Sequence, residues 1–232
     1  MKSFLTLVLL TFIAVAPLQA QEEGFAGRPI TTNLSMPTGN TLHGGEFTIG
    51  LGPIEYGITD NVQIGTNLLL FLFQYYNADL KVSLINTEQQ ALALGVGVGY
   101  FDLNFGSEGD ISFLSLSPYA AYSFPLSTKT RMHLAANFTH FEGDSDIDDA
   151  DELNASLSGT TVSAGLEHSL SNKTKFVGDL GYDVDFEGVR VGGGVVWAWE
   201  TFHLKLGLQY FAPKGYDGLV LPYVNLWWCF RG

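Results

Sequence analysis

Three groups of residues have types and spacings that could do chemistry. The segment Glu142 to Glu152 carries Asp144, Asp146, Asp148, Asp149 and Asp151. Such a density of carboxylates suits Ca²⁺, or the bridging of anionic lipid headgroups through divalent ions. Aligned on Asp144 as a calcium loop, however, the sixth position is Asp149 where glycine is needed, and the twelfth is Ala155 where a bidentate glutamate is needed. Asp144, Asp146 and Asp148 are therefore weak metal candidates, and the segment reads first as a solvated surface loop. The second group is histidine: His140 lies two positions from Glu142, and His168 beside Ser169. Neither completes a nucleophile with its base, because adjacent residues of a strand point to opposite faces. The third group is a scatter of polar side chains set at strand spacing into apolar segments: Glu46, Asp79, Lys81, His133, Asn137, Asp179, Asp183, Arg190, His203, Lys205 and Gln209. These could line a water-filled path, or fill an interior with ion pairs and hydrogen bonds.

Which of these is possible depends on the elements that carry them. From Val62, positions Val62, Ile64, Thr66, Leu68, Leu70 and Leu72 alternate with Gln63, Gly65 and Asn67, until Leu69 and Phe71 break the pattern. A period of two is that of a strand. It returns over Tyr76 to Leu84 and Leu92 to Tyr100, then over Leu114 to Phe124, Met132 to Phe138, Val162 to Leu170 and Phe176 to Val184. Val189 to Trp199, Phe202 to Tyr210 and Val220 to Phe230 complete the set. Most of these segments approach the ~9–11 residues of a tilted membrane strand and exceed the ~5–6 of a soluble one. In each, one face is apolar, and the third group of residues occupies the other.

The connectors alternate as well. Short turns fall at Thr59-Asp60-Asn61, Asn86 to Gln90, Pro125 to Lys129, Ser171 to Thr174 and Glu200-Thr201, and longer links lie between them. Short turns on one side and long loops on the other describe a transmembrane barrel with its turns in the periplasm. Counting back from Phe230 predicts an all-β, antiparallel up-and-down barrel of about 12 strands. Pro29 to Met36 would be the first strand and Glu46 to Tyr56 the second, with a β-bulge at Gly52-Pro53 where the apolar parity shifts. Ten strands is the alternative, with Pro29 to Met36 as a strap or plug. Aromatic residues gather near both strand ends: Tyr76, Tyr100, Phe138 and Tyr210 at one, and Tyr56, Phe176, Trp199 and Trp228 among those at the other. Amphipathic rings prefer such interfaces.

The N-terminus fits export. Lys2, the apolar stretch Phe4 to Ala16 and then Pro17-Leu18-Gln19-Ala20 read as a signal peptide cleaved after Ala20, which leaves residues 21–232 as one barrel domain. Only 15% of residues are charged while 46% are hydrophobic, yet no mature apolar run exceeds the six from Leu68 to Phe73, so no membrane helix is available. Losing Lys2 with the leader leaves 10 of the 11 basic residues against all 24 acidic ones, a net charge of −14. Such a surface does not suit phosphates, so no nucleic-acid partner is expected. Cys229 is the single cysteine and forms no intramolecular disulfide.

The last strand, Tyr223-Val224-Asn225-Leu226-Trp227-Trp228-Cys229-Phe230, resembles the C-terminal signal of Gram-negative outer-membrane barrels, which ends in an aromatic residue. It departs from that signal in the Arg231-Gly232 that follow. Gly45-Glu46-Phe47 with Tyr56-Gly57-Ile58-Thr59-Asp60-Asn61 is similar to the opening hairpin of many small outer-membrane barrel proteins. The resemblance implies outer-membrane localisation and the barrel-assembly machinery as a partner during insertion, and it carries no functional residue.

The expectation is a non-enzymatic outer-membrane barrel without a cofactor, either structural or a passive small-solute pore. Its partners would be lipid and lipopolysaccharide, with divalent cations at the acidic loop. Asp79, Lys81, His133, Asp179, Asp183, Arg190, His203 and Lys205 are the pore-lining candidates. Gly50, Gly95, Gly97, Gly99, Gly192, Gly194 and Gly207 leave room in the lumen, and long side chains opposite them could consume it, so filled and conducting lumens both stay open. Two alternatives remain. One is an enzyme acting on envelope lipids near His140, and the other a soluble lipocalin-like binder of an apolar ligand, whose apolar face would point inward.

Overall fold

A computed structural model describes residues 28–104, 110–146, 155–199, 201–215 and 217–231. The expected leader, residues 1–20, lies outside them. The strands are β1 Phe47–Gly50, β2 Ile54–Thr59, β3 Val62–Thr66, β4 Tyr75–Asn86, β5 Ala91–Asn104, β6 Asp110–Pro125, β7 Thr130–Asp146, β8 Ala155–Ser171, β9 Thr174–Asp183, β10 Gly188–Trp199, β11 Phe202–Ala212 and β12 Leu219–Phe230. Each pairs antiparallel with its neighbours in sequence, and β1 pairs with β12 to close a twelve-stranded barrel. Closure satisfies the backbone of every fully paired strand without an edge, the condition for sheet in hydrocarbon.

The apolar face points outward: Leu80, Leu94, Leu134, Leu180 and Leu208 are exposed, while Lys81, Ala93, His133, Asp179 and Gln63 on the opposite parity are buried. That facing corrects the lipocalin-like alternative, which needs the apolar set inside. Tyr76, Tyr100, Phe138 and Tyr210 are exposed at the loop end, and Tyr56, Phe176, Trp199 and Trp228 at the turn end.

Twelve strands are reached by a different route from the one the pattern predicts. Pro29 to Met36 is not a wall strand. Its β-pairing is a single bridge, Thr32 with Pro37, inside a tight reversal closed by Thr38 N–H to Thr31 O and Asn33 N–H to Met36 O. The missing strand comes from Glu46 to Tyr56, which is two strands: Phe47 faces Tyr56 and Thr48 faces Glu55 across a hairpin. The parity shift at Gly52-Pro53 is thus a chain reversal where a bulge was expected. Similarly, the strand from Val62 ends at Thr66, because Leu68–Phe71 forms one helical turn, α1, capped by the Asn67 side chain accepting from Leu69 N–H. Two successive breaks in alternation, Leu69 and Phe71, carried that signal.

Residues 28–45 enter the barrel instead of its wall. Ile30, Leu34 and Met36 are buried, and Ile30 and Leu34 pack with Val177 and Val196 as the apolar core. Gly192, Gly194 and Gly207 form the hollow that receives Leu34: a Cβ on Gly192 would sit 2.4 Å from Leu34 Cδ2. At the turn end, Gly39 lies so close to β5 that a Cβ there would stand 2.2 Å from Ala91 O.

Candidate functional site

The polar face of the wall is organised around this strap. Segments without sheet partners carry backbone donors and acceptors that cannot be buried unpaired, and side chains from nearly the whole circumference meet those of the strap. Lys81 of β4 donates to Thr31 O at 2.9 Å and Asn40 O at 3.0 Å. Lys205 of β11 donates to Thr32 O and Asn33 O at 3.0 and 2.6 Å, with its ammonium 5.7 Å from the Tyr223 and Trp227 ring centres. Lys175 of β9 donates to Arg28 O. Asp179 accepts from the Ser35 N–H at 2.8 Å and its hydroxyl at 3.1 Å, and Gln209 donates to the same hydroxyl. Gln63 of β3 accepts from Leu42 N–H, and Asn33 donates to Gly178 O.

A deeper chain crosses from β6 to β9. Gly39 N–H donates to Ser123 Oγ at 2.8 Å, and the same hydroxyl is hydrogen-bonded to His133 Nδ1, also at 2.8 Å. His133 Nε2 lies 3.4 Å from Glu167 Oε2, an ion-pair distance without hydrogen-bond alignment, and Lys175 pairs with the same carboxylate. The same Oε2 accepts from Ile30 N–H at 3.2 Å, while Lys175 takes Oε1. At the turn end, Glu46 is clamped between Arg28 and Arg231, which gives the residue after the terminal aromatic a structural use. Where the strap emerges at the turn end, Gly44 N–H and the neighbouring His43 hold the exposed Asp60 carboxyl below the usual range.

Above the strap the lumen stays polar for one layer. Tyr119 donates to Asp79 at 3.1 Å, Tyr75 meets Ser115, Thr161 donates to Asp183, and Arg190 reaches Ser163. Tyr119 and Tyr75 occupy the space that Gly95 and Gly99 leave open. A cavity of about 230 Å³ lies between α1 and the wall, bordered by Leu70, Tyr75, Asn77, Asp79, Ser115 and Ser117 among others.

The predicted lining residues therefore separate. Lys81, His133, Asp179 and Lys205 hold the strap or the chain beneath it; His203 stacks on Trp227 at 5.1 Å near the turn end; Asp79, Asp183 and Arg190 belong to the upper layer. The sequence reading missed Glu167, Lys175, Gln63 and Ser123. Glu167 and Ser123 lie on the inward parity of segments correctly read as strands, so alternation could have found them. Lys175 was lost because the strand begins at Thr174, two residues before the expected Phe176. Asp144 and Asp146 fall on the outer end of β7, but their side chains, and all of Asp148, lie outside the described residues. His140 faces outward near the loop end of β7, and its Nδ1 lies 2.8 Å from Ser158 Oγ on β8, a partner that sequence adjacency could not reveal.

A closed antiparallel barrel with an apolar outside, aromatic rims and a polar inside defines an integral membrane β-barrel. Residues 5–210 match the family model of the outer membrane protein beta-barrel domain, and the chain belongs to that family, a multi-pass barrel of the outer membrane. No curated protein matches it. Among solved structures, it is similar to BamA from Haemophilus ducreyi lacking POTRA domains 1–3, with 12% identity and a TM-score of 0.47 over 73% of this chain and 41% of that one. It is also similar to the Pseudomonas putida toluene transporter TodX, with 11% identity and a TM-score of 0.41 over 79% and 77% of the two chains. A loop L8 deletion mutant of OmpT, an outer membrane protein of Vibrio cholerae, gives 10% identity and 0.41 over 77% and 62%. The chain thus spans less than two thirds of the BamA and OmpT chains.

Proposed function

We propose that the protein is a non-enzymatic outer-membrane barrel, closed at rest towards the periplasm by the strap at residues 28–45, with a vestibule open at the cell surface. The observation that supports this best is the convergence of Lys81, Lys175 and Lys205, from three separate strands, on strap carbonyls. Buried cations spent on backbone acceptors are not available to a passing solute, and the strap fills the space between them. Passage of small solutes then requires the strap to move. The acidic loop, at the same end as the vestibule, would meet lipopolysaccharide through divalent cations, and assembly would use the barrel-assembly machinery through the β12 terminus.

Single-channel recording on the folded chain Gln21 to Gly232 tests this reading. The wild-type barrel is expected to give no steps, and Lys81→Met with Lys205→Met, checked for folding by heat-modifiable gel mobility, is expected to give discrete ones. Steps from the wild type at rest would overturn the closed reading.

One observation favours a second reading, an enzyme acting on envelope lipids. The His140–Ser158 pair lies on the outward face near the loop end, where a nucleophile activated by a base would meet lipid esters. Under that reading Ser158→Ala abolishes phospholipid hydrolysis by the purified barrel in mixed micelles. Under the non-enzymatic reading the wild type and the variant release fatty acid at the same background rate.

A further inference from the structure

The barrel wall is not of even height. β1 meets β12 only from Trp227 to Phe230, with one further bond from Leu51 N–H to Leu226 O at 2.9 Å. β3 meets β4 only at Asp79 to Val82. Over Leu219 to Val224, β12 pairs with β11 on one side and, among the described residues, with no strand on the other. Across the gap stand α1 and the outer end of β4, tied at Asn77 to Thr66 and Asn67. Three short strands separate β12 from β4, so the two strand axes stand four strand spacings apart, roughly 19 Å, with α1 occupying the β4 side of that width.

The chemistry of the edge argues against filling this notch with another strand. Leu226 O points towards β1, so the groups of β12 that face the notch belong to Val220, Pro222 and Val224. Pro222 stands in the middle of that row and has no N–H to donate, a residue found on edges that do not recruit partners.

The lumen face above the polar layer is apolar, against the pattern below it. Tyr223 and Trp227 face inward over Lys205, which sets the parity of β12, so Leu219 and Leu221 face inward too. Phe211, opposite Leu219, follows Lys205 and Gln209 on the inward face of β11. On the far wall Phe113, Phe141 and Leu157 share the inward parity of Ser115, Asn137 and Ser163. All six apolar side chains are exposed. The notch joins this apolar collar to the lipid-facing band without an intervening polar rim: exposed Val220 and Val224 stand on the outer side of β12, and exposed Leu219 and Leu221 on the inner.

We infer that the notch between β12 and α1–β4 is a lateral opening through which an amphipathic molecule of the surrounding lipid layer inserts its apolar chain into the vestibule. The chain lies against Phe211, Leu219 and Leu221, and its polar end satisfies the unpaired backbone groups of the β12 edge, which are costly to leave bare in hydrocarbon. The inference does not depend on whether the strap closes the lumen below.

The test uses the full mature barrel in the Cys229→Ser background, with single cysteines labelled by bimane and reconstituted in phosphatidylcholine brominated on its acyl chains. Leu208→Cys reports the lipid face, Ser117→Cys the far lumen wall, and Leu221→Cys the inner side of the notch, each checked for folding by heat-modifiable mobility. The expected result is a loss of fluorescence at Leu221→Cys approaching that at Leu208→Cys and exceeding that at Ser117→Cys. Quenching at Leu221→Cys no greater than at Ser117→Cys would overturn the opening. Disulfide-linked dimers through Leu221→Cys in dilute bilayers would assign the edge to a second copy of the chain, and overturn it equally.

Discussion

Lys175 is 2% exposed and shares its ammonium between Glu167 and the carbonyl of Arg28, whereas Lys214 pairs with Glu187 in open solvent. Lys175→Met leaves Glu167 charged and buried, a mechanism that costs about 3–5 kcal/mol. The outcome expected in urea unfolding of the barrel is a large drop in midpoint for Lys175→Met and no measurable change for Lys214→Met, since exposed pairs contribute little. Most inward polar residues were legible from alternation alone, because a period of two assigns each side chain a face. Their partners were not. Lys81 and Lys205 read as pore-lining because nothing in a strand pattern says that a distant segment will present carbonyls to them. The Ser158 partner of His140 was hidden for the same reason, since it depends on the register of β7 against β8.

Among the elements, the long strands β4 to β12 were readable; of the short ones, β3 was read from its start but carried too far, and β1 and β2 were read as one strand. Strands of ten or more residues repeat the alternation often enough to establish it, but β1, with four residues, shows it only twice. The reversal at Leu51-Gly52-Pro53 leaves the same parity shift as a bulge, and pairing decides between them: a bulge keeps one partner strand, whereas here Phe47 and Tyr56 face each other. The strap carried a similar ambiguity. Its apolar residues Ile30, Leu34 and Met36 can be written as a strand face, but Pro29, Pro37 and the Gly39 contact with Ala91 O fit a chain laid inside a wall. The low strands and Pro222 together create the notch, so the bromine-quenching experiment is a test of element length more than of any one side chain.

For the whole molecule, class and membrane followed from length, charge and period, because an apolar face over strands this long has to meet lipid. The lumen was where that reasoning stopped. Glycines on the inward face could equally have meant an open path or a hollow for another segment, and only the position of Leu34 against Gly192, Gly194 and Gly207 distinguishes the two. A lumen closed at rest requires the strap to be a fixed part of the barrel. Hydrogen exchange of the folded wild-type chain tests this most directly, at the amides of Ile30, Ser35, Gly39 and Leu42, which donate to Glu167, Asp179, Ser123 and Gln63. They are expected to exchange as slowly as paired amides of β9 and β10. Exchange as fast as that of the exposed turn at Ser127 to Lys129 would contradict a seated strap, and with it the closed lumen.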